Sequence, residues 1–261
     1  MITLEDPPGF VVRTEAQKAA ADNGFRLSRG VENGWLRFGS TTAQGDVWIA
    51  GASPTGPWLL ALDRAEVAAE VGASTTALAT GPGTAVFVFD RLPPLYAALD
   101  RAYRLGVSLP DAPLVQFQAK AGSLPRATEA ERLLIQRIGQ NVFRQALMAY
   151  WGGQCPLTGI ADPALLRASH IVPWAECMTD AERLDVHNGL LLSALWDAAF
   201  DAGLVSFADD GAVLVSPTLG AAATAALGVE PRSALQGLTP RHRANLAWHR
   251  TRYGFEAEQG H

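Results

Sequence analysis

Between positions 169 and 201 the chain carries Ser169, His170, Asn188, Asp197 and Asp201, side chains that can move a proton or hold a cation. An imidazole titrates close to neutrality, so His170 can give or take a proton under ordinary conditions. Asp197 and Asp201 stand four residues apart, a spacing that turns both carboxylates to one side of a helix. Asn188 with Gly189 is a turn signal, and His187 precedes it. Groups suited to phosphate contact flank this region. Arg137, Gln140 and Arg144 fall at i, i+3 and i+7 and share a helix face. In 241–252, six residues of twelve can be cationic, among them Arg243, His249 and Arg250, with Trp248 inside the run and Tyr253 beside it. Taken singly, each has an ordinary structural place: a hydrogen-bonded histidine, a helix-end aspartate, a solvated polar face. The combination carries the information.

The elements that must position these residues follow from pattern. Thr128 with Glu131 is a capping-box signature, and Leu134, Ile138, Phe143, Leu147 and Tyr150 recur near helical spacing until Gly152-Gly153. A long amphipathic helix is therefore predicted over 128–151. Residues 168–172 read as a short strand presenting His170, and 190–193 as a second strand. A helix carrying the two aspartates follows, Gly203 ends it, and 204–207 with 212–215 read as a hairpin. In the first half, 34–38, 47–50, 58–62 and 85–89 read as strands, and 63–71 and 94–105 as helices. A turn-rich polar stretch around Gly122, Pro125 and Arg126 separates the two textures. The expected class is α+β, with a mixed α/β domain over 1–125 and a second domain over 126–261 whose core spans about 150–215.

The second half resembles the HNH nucleases, whose core is a β-hairpin followed by a helix around one metal ion. The residues that carry the likeness are S-H-I-x-P-W at 169–174, N-G-L-x-L at 188–192 and D-x-x-F-D-x-G at 197–203, a form found in restriction-type endonucleases. Gly139-Gln140 with Phe143-Arg144 before them, and Leu246 to Arg250 after them, fit the same branch. The resemblance implies that His170 is the general base and that Asn188 holds the loop that orients it. It implies Asp197 and Asp201 as metal ligands and raises Arg137, Gln140 and Arg144 as DNA contacts, while Arg243, His249 and Arg250 are the second set of DNA-contact candidates by their basic clustering. Ser169 stands where many relatives place a metal-ligating Asp or His. A neutral hydroxyl is a poor ligand, which leaves Ser169 and His187 as supporting hydrogen-bonders or packing residues. With no paired C-x-x-C motif, no structural zinc is expected, and two aspartates suit Mg²⁺ or Mn²⁺ better than Zn²⁺.

The implied activity is metal-dependent cleavage of double-stranded DNA in restriction or phage defence, in some cases dependent on base modification. One such site per chain favours a homodimer for cutting two strands. Two alternatives stay open: an HNH-fold DNA-binding regulator without catalysis, and a toxin-like nuclease without a defined site. The first domain would then choose the target. Trp35, Trp48 and Trp58 could stack on a flipped base, or form core, and Arg26, Arg29 and Arg37 could read guanine or phosphate.

Composition sets limits on all of this. With 261 residues, 48% hydrophobic and 18% charged, the chain can build one large or two small globular domains. Its net charge of −5 excludes a protein that coats nucleic acid by bulk charge, but not one that grips DNA through a local patch. Cys155 and Cys177 are too few for a disulfide framework. No leader pattern and no apolar run of membrane-spanning length are visible, so a cytoplasmic protein without a membrane partner is expected.

Overall fold

The computed structural model describes residues 2–72, 80–109, 111–125, 127–229 and 234–255. Arg126, at the head of the expected second domain, lies outside them. The chain is mixed α/β and divides into two compact units, 1–112 and 113–261. The division thus falls at Ala112, ahead of the Pro125 boundary, because a helix (Ala112–Ala121) occupies the stretch before the polar run.

The first unit runs α1 (Phe10–Asp22), β1 (Leu27–Glu32), β2 (Trp35–Gly39), β3 (Asp46–Gly51), β4 (Trp58–Leu62), α2 (Ala65–Glu70), β5 (Ala85–Phe89) and α3 (Leu92–Gly106). Its five strands pair antiparallel in chain order. The interior strand β4, between β3 and β5, is apolar at every position, as a strand buried on both faces must be. One face packs Trp35, Ala50, Leu59 and Ala61 together. α1 and α3 lie along the sheet and bury Val12, Ala16, Leu95 and Leu99.

This arrangement corrects the base-stacking reading of the first unit. Trp35 and Trp58 are core residues, 5% and 1% exposed, and Trp48 is half-buried beneath the Arg37 guanidinium. Arg29 and Arg37 both pair with the buried Asp46, which ties β1 and β2 to β3. Arg26 is exposed and donates to the Ala21 carbonyl at 3.5 Å.

The second unit holds α4 (Ala112–Ala121, its first residue in the other unit), α5 (Glu129–Tyr150), β6 (Leu166–His170), α6 (Asp180–Leu184), β7 (Gly189–Ser193), α7 (Ala194–Asp201), β8 (Val205–Phe207), β9 (Val213–Val215), α8 (Ala221–Leu227) and α9 (Pro240–Tyr253). The Thr128 hydroxyl accepts from the Glu131 amide, and the Glu131 carboxylate accepts from the Thr128 amide, so the capping box starts α5. The buried stripe of α5 is Ile135, Gly139, Val142, Phe143, Ala146, Leu147 and Tyr150. Leu134, expected on that stripe, is 50% exposed, and its neighbour Ile135 takes the inward place. β6 and β7 pair antiparallel from Leu166 opposite Ser193 to His170 opposite Gly189, and α7 starts directly from β7. Leu166, Leu190, Leu192, Trp196, Phe200 and Phe207 close the core beneath this ββα unit. Among the described residues no helix is long and apolar enough to cross a membrane.

Candidate active site

The ββα unit borders a cavity of about 340 Å³ whose walls include Ser169, His170, Trp174, Asp197, Asp201 and Tyr253. Successive residues of a strand point to opposite sides. At the end of β6, Ser169 therefore turns toward α7 and His170 toward α5. The Ser169 hydroxyl donates to Asp197 Oδ1, and the His170 ring stacks on Phe143 at 3.8 Å between centroids, 17° from parallel. A glycine opposite His170 makes room for this stack. A Cβ at Gly189 would lie 2.5 Å from Phe143 Cζ.

The hydrogen bonding of His170 fixes its chemistry. Its Nε2 lies 2.9 Å from the Arg183 carbonyl, which can only accept, so Nε2 carries the proton. The neutral ring then keeps its lone pair on Nδ1, which has no hydrogen-bond partner among the described residues. Burial holds the imidazole below its ordinary 6.5, and the carbonyl bond offsets this only in part. A neutral, oriented imidazole on a cavity wall is a ready proton acceptor.

Asn188 pins the loop that follows. It is 4% exposed; its Oδ1 accepts from the Val172 amide at 2.8 Å, while Nδ2 donates to the carbonyls of Val172 at 3.1 Å and Glu182 at 3.3 Å. The side chain thus stands in for a strand partner just past His170. Replacing it with alanine leaves the half-buried Val172 amide without its acceptor and takes a donor from the Val172 and Glu182 carbonyls, at about 1–3 kcal/mol for each group left unsatisfied. Asn188→Ala is expected to lower the thermal midpoint of the second unit, and an unchanged melting curve would contradict this placement.

Asp197 sits in the first turn of α7 and Asp201 at its last residue, one turn on. Both carboxylates line the same cavity, although Asp201 as a whole residue is exposed at the rim. Burial of the carboxyl, and then the charge of Asp197, push Asp201 up to about 6. Asp201 also stands at the negative end of the helix dipole. A cation between the two would relieve both penalties, and these carboxylates are the groups that could hold one. Among the described residues no cluster of three or more His, Cys, Asp or Glu is arranged to enclose an ion. Most ligands of such a cation would then be water and substrate oxygens, as magnesium prefers.

Other expected site residues serve the fold or lie outside the cavity. His187 is 2% exposed and donates from Nδ1 to Asp185 at 2.9 Å, while Asp185 also takes Arg241 at 2.6 Å. Burial opposes ionisation of Asp185, but the His187 bonds and Arg241 outweigh it and hold its carboxyl low. This group joins the turn before β7 to α9, away from the cavity walls. His249 reaches the cavity wall from inside the fold, 2% exposed, with Nε2 donating to the Phe200 carbonyl at 3.1 Å and Nδ1 accepting from Ser206 at 3.0 Å. Burial pushes it down to about 4, so it is a neutral structural residue and not a cationic DNA contact. Arg250 is likewise engaged, with the Phe207 carbonyl and Asp209. Arg144 donates to the carbonyls of Leu166 and Pro163 and ties α5 to β6. Arg137, Gln140 and Arg243 are exposed.

Two further residues belong to the site: Tyr253, which the sequence offered only as an aromatic beside the basic stretch, and Arg183, to which it gave no role. Tyr253 on α9 donates to the Asp201 carbonyl at 2.9 Å, and Gly203 leaves space for its ring. Arg183 supplies the carbonyl that orients His170. Gly203 signals the first in the sequence, since a side chain there meets the tyrosine; the second has no side-chain signature at all.

Residues 155–208 match the family model for HNH endonuclease. This segment is an HNH endonuclease domain. It contains His170, Asn188, Asp197 and Asp201, whereas Phe143, which stacks on His170, and Tyr253, on the cavity wall, come from helices outside the match. No curated protein matches the chain. The HNH domain points to nuclease activity on nucleic acid, and HNH nucleases generally use a divalent metal.

Proposed function

We propose that the chain is a metal-dependent DNA endonuclease that hydrolyses phosphodiester bonds with His170 as general base. The observation that carries this reading is the Nε2–H bond to the Arg183 carbonyl, which leaves Nδ1 unprotonated on an imidazole that lines the cavity. From there His170 takes the proton of a water attacking the scissile phosphorus in line with the leaving oxygen. Asp197 and Asp201 would hold a divalent ion, with Ser169 keeping the Asp197 carboxylate turned to the cavity. Mg²⁺ or Mn²⁺ suits such an oxygen-only donor pair, and when bound it would supply charge stabilisation at the phosphate and its leaving oxygen. The exposed Arg137, Gln140 and Arg243 remain as contacts to the DNA backbone. The restriction-type motifs support a reading of the cleavage as defence against foreign DNA, and cutting both strands with one site per chain favours two copies.

The test is incubation of supercoiled plasmid, unmodified or carrying modified cytosine, with Mg²⁺, Mn²⁺ or EDTA. Nicked and linear products are expected with metal on at least one substrate, and none with EDTA. Binding of DNA without cutting under every metal would instead make the protein a regulator built on the HNH fold.

A further inference from the structure

We infer that Arg183 is the positioning residue of the site, its guanidinium fixing the backbone carbonyl that orients His170. This rests on the reading of His170 as general base. Between the two strands of the ββα unit the chain leaves at Ile171 and returns at Asn188, with only the five-residue α6 as regular helix on the way. Inside it a capping box at Thr179 and Glu182 starts α6 and a turn closes from Glu176 onto Pro173, but these bonds are local, and residue 183 must present a carbonyl to His170 Nε2 at 2.9 Å. Asn188 holds the two ends, at Val172 and Glu182. The middle is held by Arg183, whose Nε donates to the Trp174 carbonyl at 3.2 Å, Nη2 to the Cys177 carbonyl and Nη1 to Asp180 at 3.1 Å.

The same guanidinium lies 5.8 Å over the Trp174 ring, whose edge meets the His170 ring at 5.7 Å and 87°. Gly139 on α5 seats that tryptophan, since a Cβ there would lie 2.4 Å from Trp174 Cη2. One residue therefore grips the loop with its side chain and the catalytic imidazole with its backbone. Only a planar fork reaches three acceptors at once. A lysine ammonium would satisfy one or two of them and would lose the stack. Releasing the grip lets the carbonyl move and the imidazole turn, and a misplacement of about 1 Å can cost about a hundredfold in rate.

The experiment compares single-turnover cleavage of plasmid with Mg²⁺ by the full chain and by Arg183→Ala, Arg183→Lys and His170→Ala. Arg183→Ala is expected to lose about a hundredfold in rate constant and Arg183→Lys about tenfold, with the DNA concentration for half-saturation little changed. Added methylguanidinium is expected to restore Arg183→Ala and not His170→Ala. The imidazole Nε2–H proton of His170, protected from exchange in the parent chain, is expected to disappear from the NMR spectrum of Arg183→Ala. Should Arg183→Ala fail to fold, the lysine variant decides. Parent-like rates in the folded Arg183 variants with an inactive His170→Ala overturn the inference and leave the general base intact. A weakened half-saturation with an unchanged rate constant, or a lost rate with the Nε2–H still protected, also overturns it. Parent-like cleavage by His170→Ala removes the reading beneath it instead.

Discussion

His170→Ala is expected to lower the single-turnover cleavage rate by about a thousandfold while DNA binding stays close to that of the parent chain. General-base catalysis by a placed imidazole contributes about 10²–10⁴-fold, and here the placement is specified by three contacts. Phe143 sets the ring plane, the Arg183 carbonyl sets the tautomer, and Trp174 closes one edge. Alanine removes the acceptor and leaves those supports standing, so circular dichroism should report an intact fold. The pH profile of the parent chain belongs to the same expectation. Activity requires the neutral ring, so the rate rises with pH through the imidazole pKa and levels off above it. Burial lowers that pKa, which places the acid limb below the ordinary 6.5 and leaves the rate flat through neutral pH. A limb centred above 6.5 would mean that another group limits the reaction.

Asp197→Asn is expected to abolish measurable Mn²⁺ binding by calorimetry and to reduce cleavage about a hundredfold or more. Losing one stabiliser of transition-state charge in a preorganised site has effects of about this size. The substitution is nearly isosteric, and the Ser169 hydroxyl can still donate to the amide oxygen. It also removes the neighbouring negative charge that, after burial, raises Asp201 to about 6. Folding stability without metal should therefore hold or rise, whereas a purely structural Asp197 would lose stability on the same change. Parent-like Mn²⁺ affinity together with parent-like cleavage would show that the carboxylate pair serves the fold and not a cation.

The local parts of the site were legible because each has a local signal. Asn188-Gly189 sets the entry to β7, Gly203 with its left-handed φ of 65° ends α7, and the spacing of Asp197 and Asp201 shares one helix side. Elements without a local signal were missed. α1 buries mainly alanines, Ala16, Ala19 and Ala20 beside Val12, so no large apolar residue marks its period. All six residues of β1 are exposed, so it lacks the alternation of a half-buried strand. Charge in the sequence also misled where long-range pairing absorbs it. His249 finds Phe200 and Ser206, and Arg250 finds Asp209, each more than 40 residues away in the chain. The tryptophans of the first unit are a register problem, because which strand face turns inward is settled only by pairing. The role of Arg183 is carried by a backbone carbonyl, which every residue possesses.

The most direct measurement is chemical rescue of His170→Gly in single-turnover plasmid cleavage with Mg²⁺, followed with and without added imidazole. The glycine variant keeps the Phe143 face and the Arg183 carbonyl that seat the ring. It is predicted to be inactive alone and to recover cleavage as imidazole is added, with a pH dependence that follows the free imidazole. Cleavage at the parent rate without imidazole would contradict the assignment of His170 as the base.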